Sequence, residues 1–319
     1  MVRVLPPLLG EPGAWRLLED AAHDSGSAVL DALAAIGPWD LARKHRSGYA
    51  ALVGAAYDAN AESLDGFAAY GPLQALGVWS RYDTGLARRI SRTVGDLDSR
   101  RHWRQAVWVL LELALSDVPH PVGGMAPGSV FHDAVAGLLS AMRDPESRCE
   151  AHADRDLPAL QRLRALVSLG SEPRERPGSR LELAALLAGE PLLAAERAEL
   201  LGGLVDRSSE PAAFLGQLLA LADALEDAGA KVAAQTASRL WTTWAHRPLM
   251  QSTETLLAPA GRLAGDGRAV TGLLAVSLVA ATGNRLGWPE EWRALLRTLR
   301  RHGQPDVRHE AHRTMTQPE

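Results

Sequence analysis

The 319-residue chain has a single cysteine, Cys149, so no intrachain disulfide can brace it. Lysine stands only at Lys44 and Lys231 and arginine supplies the other basic side chains, a usage that a GC-rich, high-GC bacterial coding bias explains. Aromatic residues make up 5% of the chain. The residues that favour strands give way to Ala, Leu, Arg and Glu, which favour helices. Charge of one sign is also lacking: a formal net charge of −4 gives no bulk attraction to nucleic acid or to an anionic membrane. Long apolar runs are scarce. The longest, "GLLAVSLVAATG" at 272–283, is expected to be too short to span a bilayer. The opening "MVRVLPPLLGEPG" is interrupted by Pro6 and Pro7 and lacks the apolar core of a signal peptide. Together these absences predict a cytoplasmic protein with no membrane partner. What the chain does have is 46% hydrophobic residues, enough to build a large core and to exclude a disordered chain.

Length alone predicts two modules or one elongated array. The N-terminal half, 1–170, reads as helical but irregular, with helices near 13–23, 26–36, 47–58, 71–80, 83–95, 101–116, 129–142 and 157–169. In the helix near 101–116 the clearest apolar stripe is Val107, Leu110, Leu111, Ala114 and Leu115. A Pro/Gly-rich loop, "SDVPHPVGGMAPGS", covers 116–129, and the charged connector "SEPRERPGS" at 171–179 marks the preferred boundary. The second half, 178–319, reads as helix pairs over roughly 178–207, 211–247, 248–286 and 289–316. Phe214, Leu218, Leu221 and Leu225 recur at helical spacing and predict one buried face. A helix interrupted or kinked near Pro259 is expected, then an apolar helix buried from both sides, then "PEEWRALLRTLRRHG", with acids in its first turn and Arg300, Arg301 and His302 in its last. Short loops predict antiparallel neighbours, all within an all-α fold.

The last pair, "LLRTLRRHGQPDVRHEA", resembles a HEAT repeat, in which Pro and Asp form the turn and Val, Arg and a small Ala open the second helix. Here those positions are Pro305, Asp306, Val307, Arg308 and Ala311. Asp306 is placed to cap the helix, Val307 to enter the core, and Ala311 to admit a neighbouring helix. The resemblance covers about 30 residues; earlier pairs share its length but not its turn. It implies a HEAT-like right-handed α-solenoid, with one continuous array as an option. It also implies a non-enzymatic scaffold that binds another protein in a concave groove. A second resemblance, to HEAT-like DNA glycosylases that place Trp side chains and an Asp around an altered base, implies an enzyme alternative. Trp241 and Trp244, three residues apart, and Trp288 and Trp292 would serve it, though no catalytic Asp aligns and the net charge disfavours nucleic acid.

Other constellations favour structural roles. His309 and His312 lack the spacing of a zinc helix and a further ligand. In "CEAHAD", Cys149, His152 and Asp154 lack the second ligand pair that a structural zinc site needs. The 116–129 loop offers His120, Ser129 and His132 before a helix, without the Gly-Lys-Ser/Thr of a phosphate loop. Ser129 suits a helix N-cap, with Asp133 in the opening turn. No cofactor or metal is expected. Partner contacts are assigned to His120, Ser129, His132, Trp241, Trp244 and Arg308.

Overall fold

A computed structural model describes residues 9, 11–23, 27–64, 66–98, 101–150, 157–170, 177–206, 209–245 and 253–316. Among the described residues the regular structure is helical throughout, with no strand. The chain divides into two compact units, Met1–Glu172 and Pro173–Glu319.

The first unit contains α1 (Pro12–His23), α2 (Ser27–Ala34), α3 (Arg43–Asn60), α4 (Tyr70–Trp79), α5 (Thr84–Gly95), α6 (Trp103–Leu115), α7 (Val130–Arg143), α8 (Pro145–Glu150) and α9 (Pro158–Gly170). Local chemistry sets several boundaries. Asp83 caps α5, its Oδ1 accepting from the Gly85 N–H at 2.8 Å. The helix then buries Leu86, Ala87, Ile90 and Val94 on one face and leaves Arg88 and Arg92 more open to solvent. Ser129 caps α7 through the His132 N–H at 3.1 Å, with Asp133 in the first turn and Arg143 in the last, as the helix dipole favours. In α6 the burial is broader than one stripe: Ala106, Val109 and Leu113 are buried beside the expected Val107, Leu110, Leu111 and Ala114, while Leu115 is half-buried. The helix packs against α4, α5, α7 and α9, so few of its sides meet water. Contacts skip along the chain: α1 packs on α3, α2 on α4, α4 on α6, α5 on α7 and α7 on α9.

The second unit contains α10 (Pro177–Leu186), α11 (Ala194–Gly202), α12 (Pro211–Leu225), α13 (Ala230–Ala245), α14 (Thr253–Gly265), α15 (Ala269–Leu286), α16 (Glu290–Leu299) and α17 (Pro305–Arg313). Alternate helices again touch: α11, α13, α15 and α17 pack in series, and α12, α14 and α16 pack in a second series. Phe214, Leu218, Leu221 and Leu225 are all buried on α12, on the face their spacing predicts. Gly229, in left-handed backbone at φ 81°, ends that segment. α14 runs through Pro259 rather than breaking there.

α15 is the centre of the unit, packed against α12, α13, α14, α16 and α17. Its 18 residues are long and apolar enough to cross a membrane by length and composition, which corrects the shorter span read from 272–283. In the fold, 67% of that window is buried. A helix apolar on all sides finds neighbours on all sides here.

Two further expectations change at the closing pair. α16 ends at Leu299, so Arg300, Arg301 and His302 lie beyond it and Arg297 is the base of its last turn. Asp306 does not cap α17. Gln304 holds the N-cap position without a side-chain bond, Pro305 begins the helix, and Asp306 stands exposed in the first turn, where only its charge favours the helix end. Val307 and Ala311 are fully buried against α15, as their pattern predicts.

Candidate functional site

The segment 35–42 joins α2 to α3 and contains a short 3-10 turn, Pro38–Asp40. Pro38 sets the backbone angle of the first turn residue. Asp40 Oδ2 accepts from the Gly37 N–H at 2.9 Å, and the Asp40 N–H donates to Gly37 O at 3.0 Å, closing the turn on itself. The Trp39 indole folds back over Gly37: a Cβ there would stand 2.4 Å from Trp39 Cε2, so only glycine leaves the ring this position. Although Trp is among the largest apolar side chains, Trp39 is 77% exposed.

Beneath the turn is a buried aromatic support. Trp79 of α4 is fully buried and its Nε1–H donates to Ile36 O at 3.1 Å, tying the turn to α4. Tyr49 of α3 stacks near it at 4.9 Å between centroids and donates its hydroxyl to Leu33 O at 3.0 Å. Burial raises the Tyr49 phenol well above the ordinary tyrosine range, so it stays a neutral donor. Arg46 donates to the Tyr82 hydroxyl at 3.1 Å, and the Tyr82 ring lies 5.7 Å from Trp79. These bonds hold the end of α2 and the end of α4 at fixed separation.

Between them opens a cleft of about 430 Å³. Its walls are aliphatic, with Ala34 and Ile36 on one side and Pro72, Ala75 and Val78 on the other. Trp39 lines it from the turn, and Asp31 and Gln74 supply the polar side chains of its lining. Its volume falls in the range of ligand sites, and its apolar walls with few polar groups match their usual make-up. Nothing in it resembles a catalytic constellation: there is one carboxylate, no histidine and no nucleophile with a base.

The residues assigned to partner contacts from sequence lie elsewhere. His120 is half-buried in the 116–129 loop. Its Nδ1 accepts from the Val122 N–H at 3.3 Å, which leaves the proton on Nε2 for donation to Ser80 Oγ at 2.8 Å. Ser80 is fully buried and its own O–H donates a hydrogen bond to Gly77 O. The serine therefore accepts from the histidine, the reverse of an activated nucleophile. Burial and then the Arg81 charge lower the His120 pKa, consistent with a neutral ring that pins the loop to α4. Ser129 is buried in its cap, and half-buried His132 places Nδ1 3.7 Å from its neighbour Asp133. Arg308 donates from one guanidinium nitrogen to His302 O and Gly303 O, each at 2.8 Å. Arg300 answers it with bonds to Ala311 O at 3.2 Å and Thr314 O at 3.0 Å. Arg308 thus ties down the turn that follows α16, and Arg300 satisfies carbonyls at the end of α17.

Trp288 and Trp292 are core residues, 2% and 3% exposed, and Trp288 Nε1 bonds Asn284. The side chains of Trp241, Trp244 and Cys149, and the whole of His152 and Asp154, lie outside the described residues. His309 and His312 are exposed, and among the described residues no three His, Cys, Asp or Glu side chains gather as a metal would require. Sequence reasoning missed Trp39. The available signal was a tryptophan inside a Gly-Pro-Trp-Asp turn, but nothing local says whether such a ring is covered. Compared with known proteins, the chain matches no family model, no curated protein and no solved structure.

Proposed function

We propose that the chain is a HEAT-like right-handed α-solenoid of antiparallel helix pairs, working as a non-enzymatic scaffold that docks a partner protein. The alternate stacking of helices supports the repeat reading. In a two-helix array each helix meets its equivalent in the next pair, and in both units most helices two apart pack together. Val307 and Ala311, buried in the closing pair, fill the roles that the HEAT-like turn assigns to them.

The observation that carries the docking role is Trp39, 77% exposed beside an aliphatic cleft between α2 and α4. These two helices are successive members of one stacked series. A large exposed aromatic over a preformed apolar cleft has the chemistry of an interface anchor. The bonds from Trp79 and Tyr49 keep the cleft in shape before anything binds, which lowers the ordering cost of association.

The test is affinity capture from native extract with the full chain and with Trp39→Ala in parallel. Specific protein partners should be retained by the first and lost by the second, with the two chains equally stable. Capture of the same proteins by both would overturn the role of the cleft.

A further inference from the structure

The charge of the cleft narrows its occupant. We infer that it takes a short basic segment of a partner protein, an aliphatic side chain entering between α2 and α4 while an adjacent arginine or lysine lies against Trp39 and Asp31; this rests on the docking role proposed above. The walls made by Ala34, Ile36, Pro72, Ala75 and Val78 offer no hydrogen bond from their side chains, so what enters between them is aliphatic. The lining contains one acidic side chain, Asp31, and no Lys, Arg or His. Asp31 is exposed and, among the described residues, its side chain has no ion pair or hydrogen bond. The Asp40 carboxylate is already turned onto the Gly37 N–H. Arg43 and Lys44 start α3 and do not line the cleft.

An exposed indole face attracts a cation, a guanidinium most of all, through its ring quadrupole and by stacking. With the free Asp31 carboxylate lining the same cleft, the rim is complementary to a positive side chain and repels an acidic one. Two exposed groups of this kind next to an aliphatic wall describe a recognition element for a leucine- or valine-like residue flanked by a base.

The probes are fluorescein-labelled heptapeptides with a central leucine flanked by arginine, by glutamine or by glutamate, together with a short oligothymidylate, read by polarisation at low ionic strength. The arginine-flanked peptide should bind the full chain about tenfold more tightly than the glutamine-flanked one, and more weakly as salt is raised. Trp39→Ala should cost about tenfold or more and Asp31→Asn about threefold to fivefold. Asp31→Arg should reverse the order so that the glutamate-flanked peptide binds best. Both positions are exposed, so these variants keep the fold, and circular dichroism checks it. If the glutamine- or glutamate-flanked peptide binds the native chain best in a Trp39-dependent way, the basic preference is wrong while the docking role stands. If oligothymidylate alone binds through Trp39, the ring stacks on bases and the protein-partner reading fails. If no probe depends on Trp39, the cleft is not a docking site and both readings fall.

Discussion

Gly272 gives the sharpest test of how the second unit is packed. It lies on α15 facing α17, where a Cβ would stand 2.6 Å and 3.0 Å from the two methyls of Val307 and 3.3 Å from His302 Cε1. Alanine is the better helix former by about 1 kcal/mol, so an uncrowded Gly272→Ala would stabilise the chain. Crowding acts the other way. Val307 is fully buried, and a β-branched side chain that rotates simply presents another methyl or its Cβ hydrogen to the same spot. Overpacking of this kind costs about 1–3 kcal/mol, leaving a net loss of up to about 2 kcal/mol. Val307→Ala alone removes two buried methyls, about 1.6 kcal/mol of transfer free energy plus a cavity term. In the double variant the methyl added at position 272 occupies the space that Val307 gives up. That variant should therefore be more stable than the sum of the single changes by about 1–2 kcal/mol. Because the chain has two units, hydrogen exchange at the α15 amides under mild denaturant reads the effect locally. A Gly272→Ala chain stabilised by about 1 kcal/mol, with additive single changes, would refute the close contact of α15 with α17.

Other outcomes follow from the same contacts. Gly37→Ala should leave stability within about 0.5 kcal/mol, because the ring it strikes is exposed and can swing away, yet weaken Trp39-dependent binding; equilibrium denaturation and the polarisation assay separate the two effects. His302 has its pKa lowered, first by burial and then by the Arg308 charge, so below the unfolded histidine value of about 6.5 the unfolded chain binds a proton that the folded one resists. Stability of the second unit should fall as pH drops through that value. His302→Asn, which keeps an acceptor for the Gln304 N–H, should flatten the loss, and NMR titration should place His302 and His120 both below about 6.5. Arg308→Ala should lose about 1–2 kcal/mol with faster hydrogen exchange in the turn after α16, and lysine should restore part of it, since both carbonyls are bonded by a single nitrogen and an ammonium carries three N–H donors.

Much of the helical framework was legible before any coordinates. The α12 stripe, the α15 helix that is apolar all round, the Ser129 cap, and the core positions Val307 and Ala311 each depend on residues within about a turn of one another. The departures have physical causes of the same local kind: Pro305 displaced Asp306 from the cap, and α16 stopped before its trailing bases. The candidate site was not legible. Trp39 could equally have been core, because a tryptophan carries no mark of what will cover it.

By itself the sequence determined an all-α chain and the order and approximate limits of its helices, since propensity, capping and 3.6-residue periodicity act over about four residues. Tertiary structure alone decided which polar groups meet and which ring stays bare. The Ser80–His120 bond spans 40 residues and the Trp79–Ile36 bond 43. Such pairings arise only when separate helices pack, so they, and the open cleft that leaves Trp39 uncovered, belong to the assembled fold and not to any one segment of it.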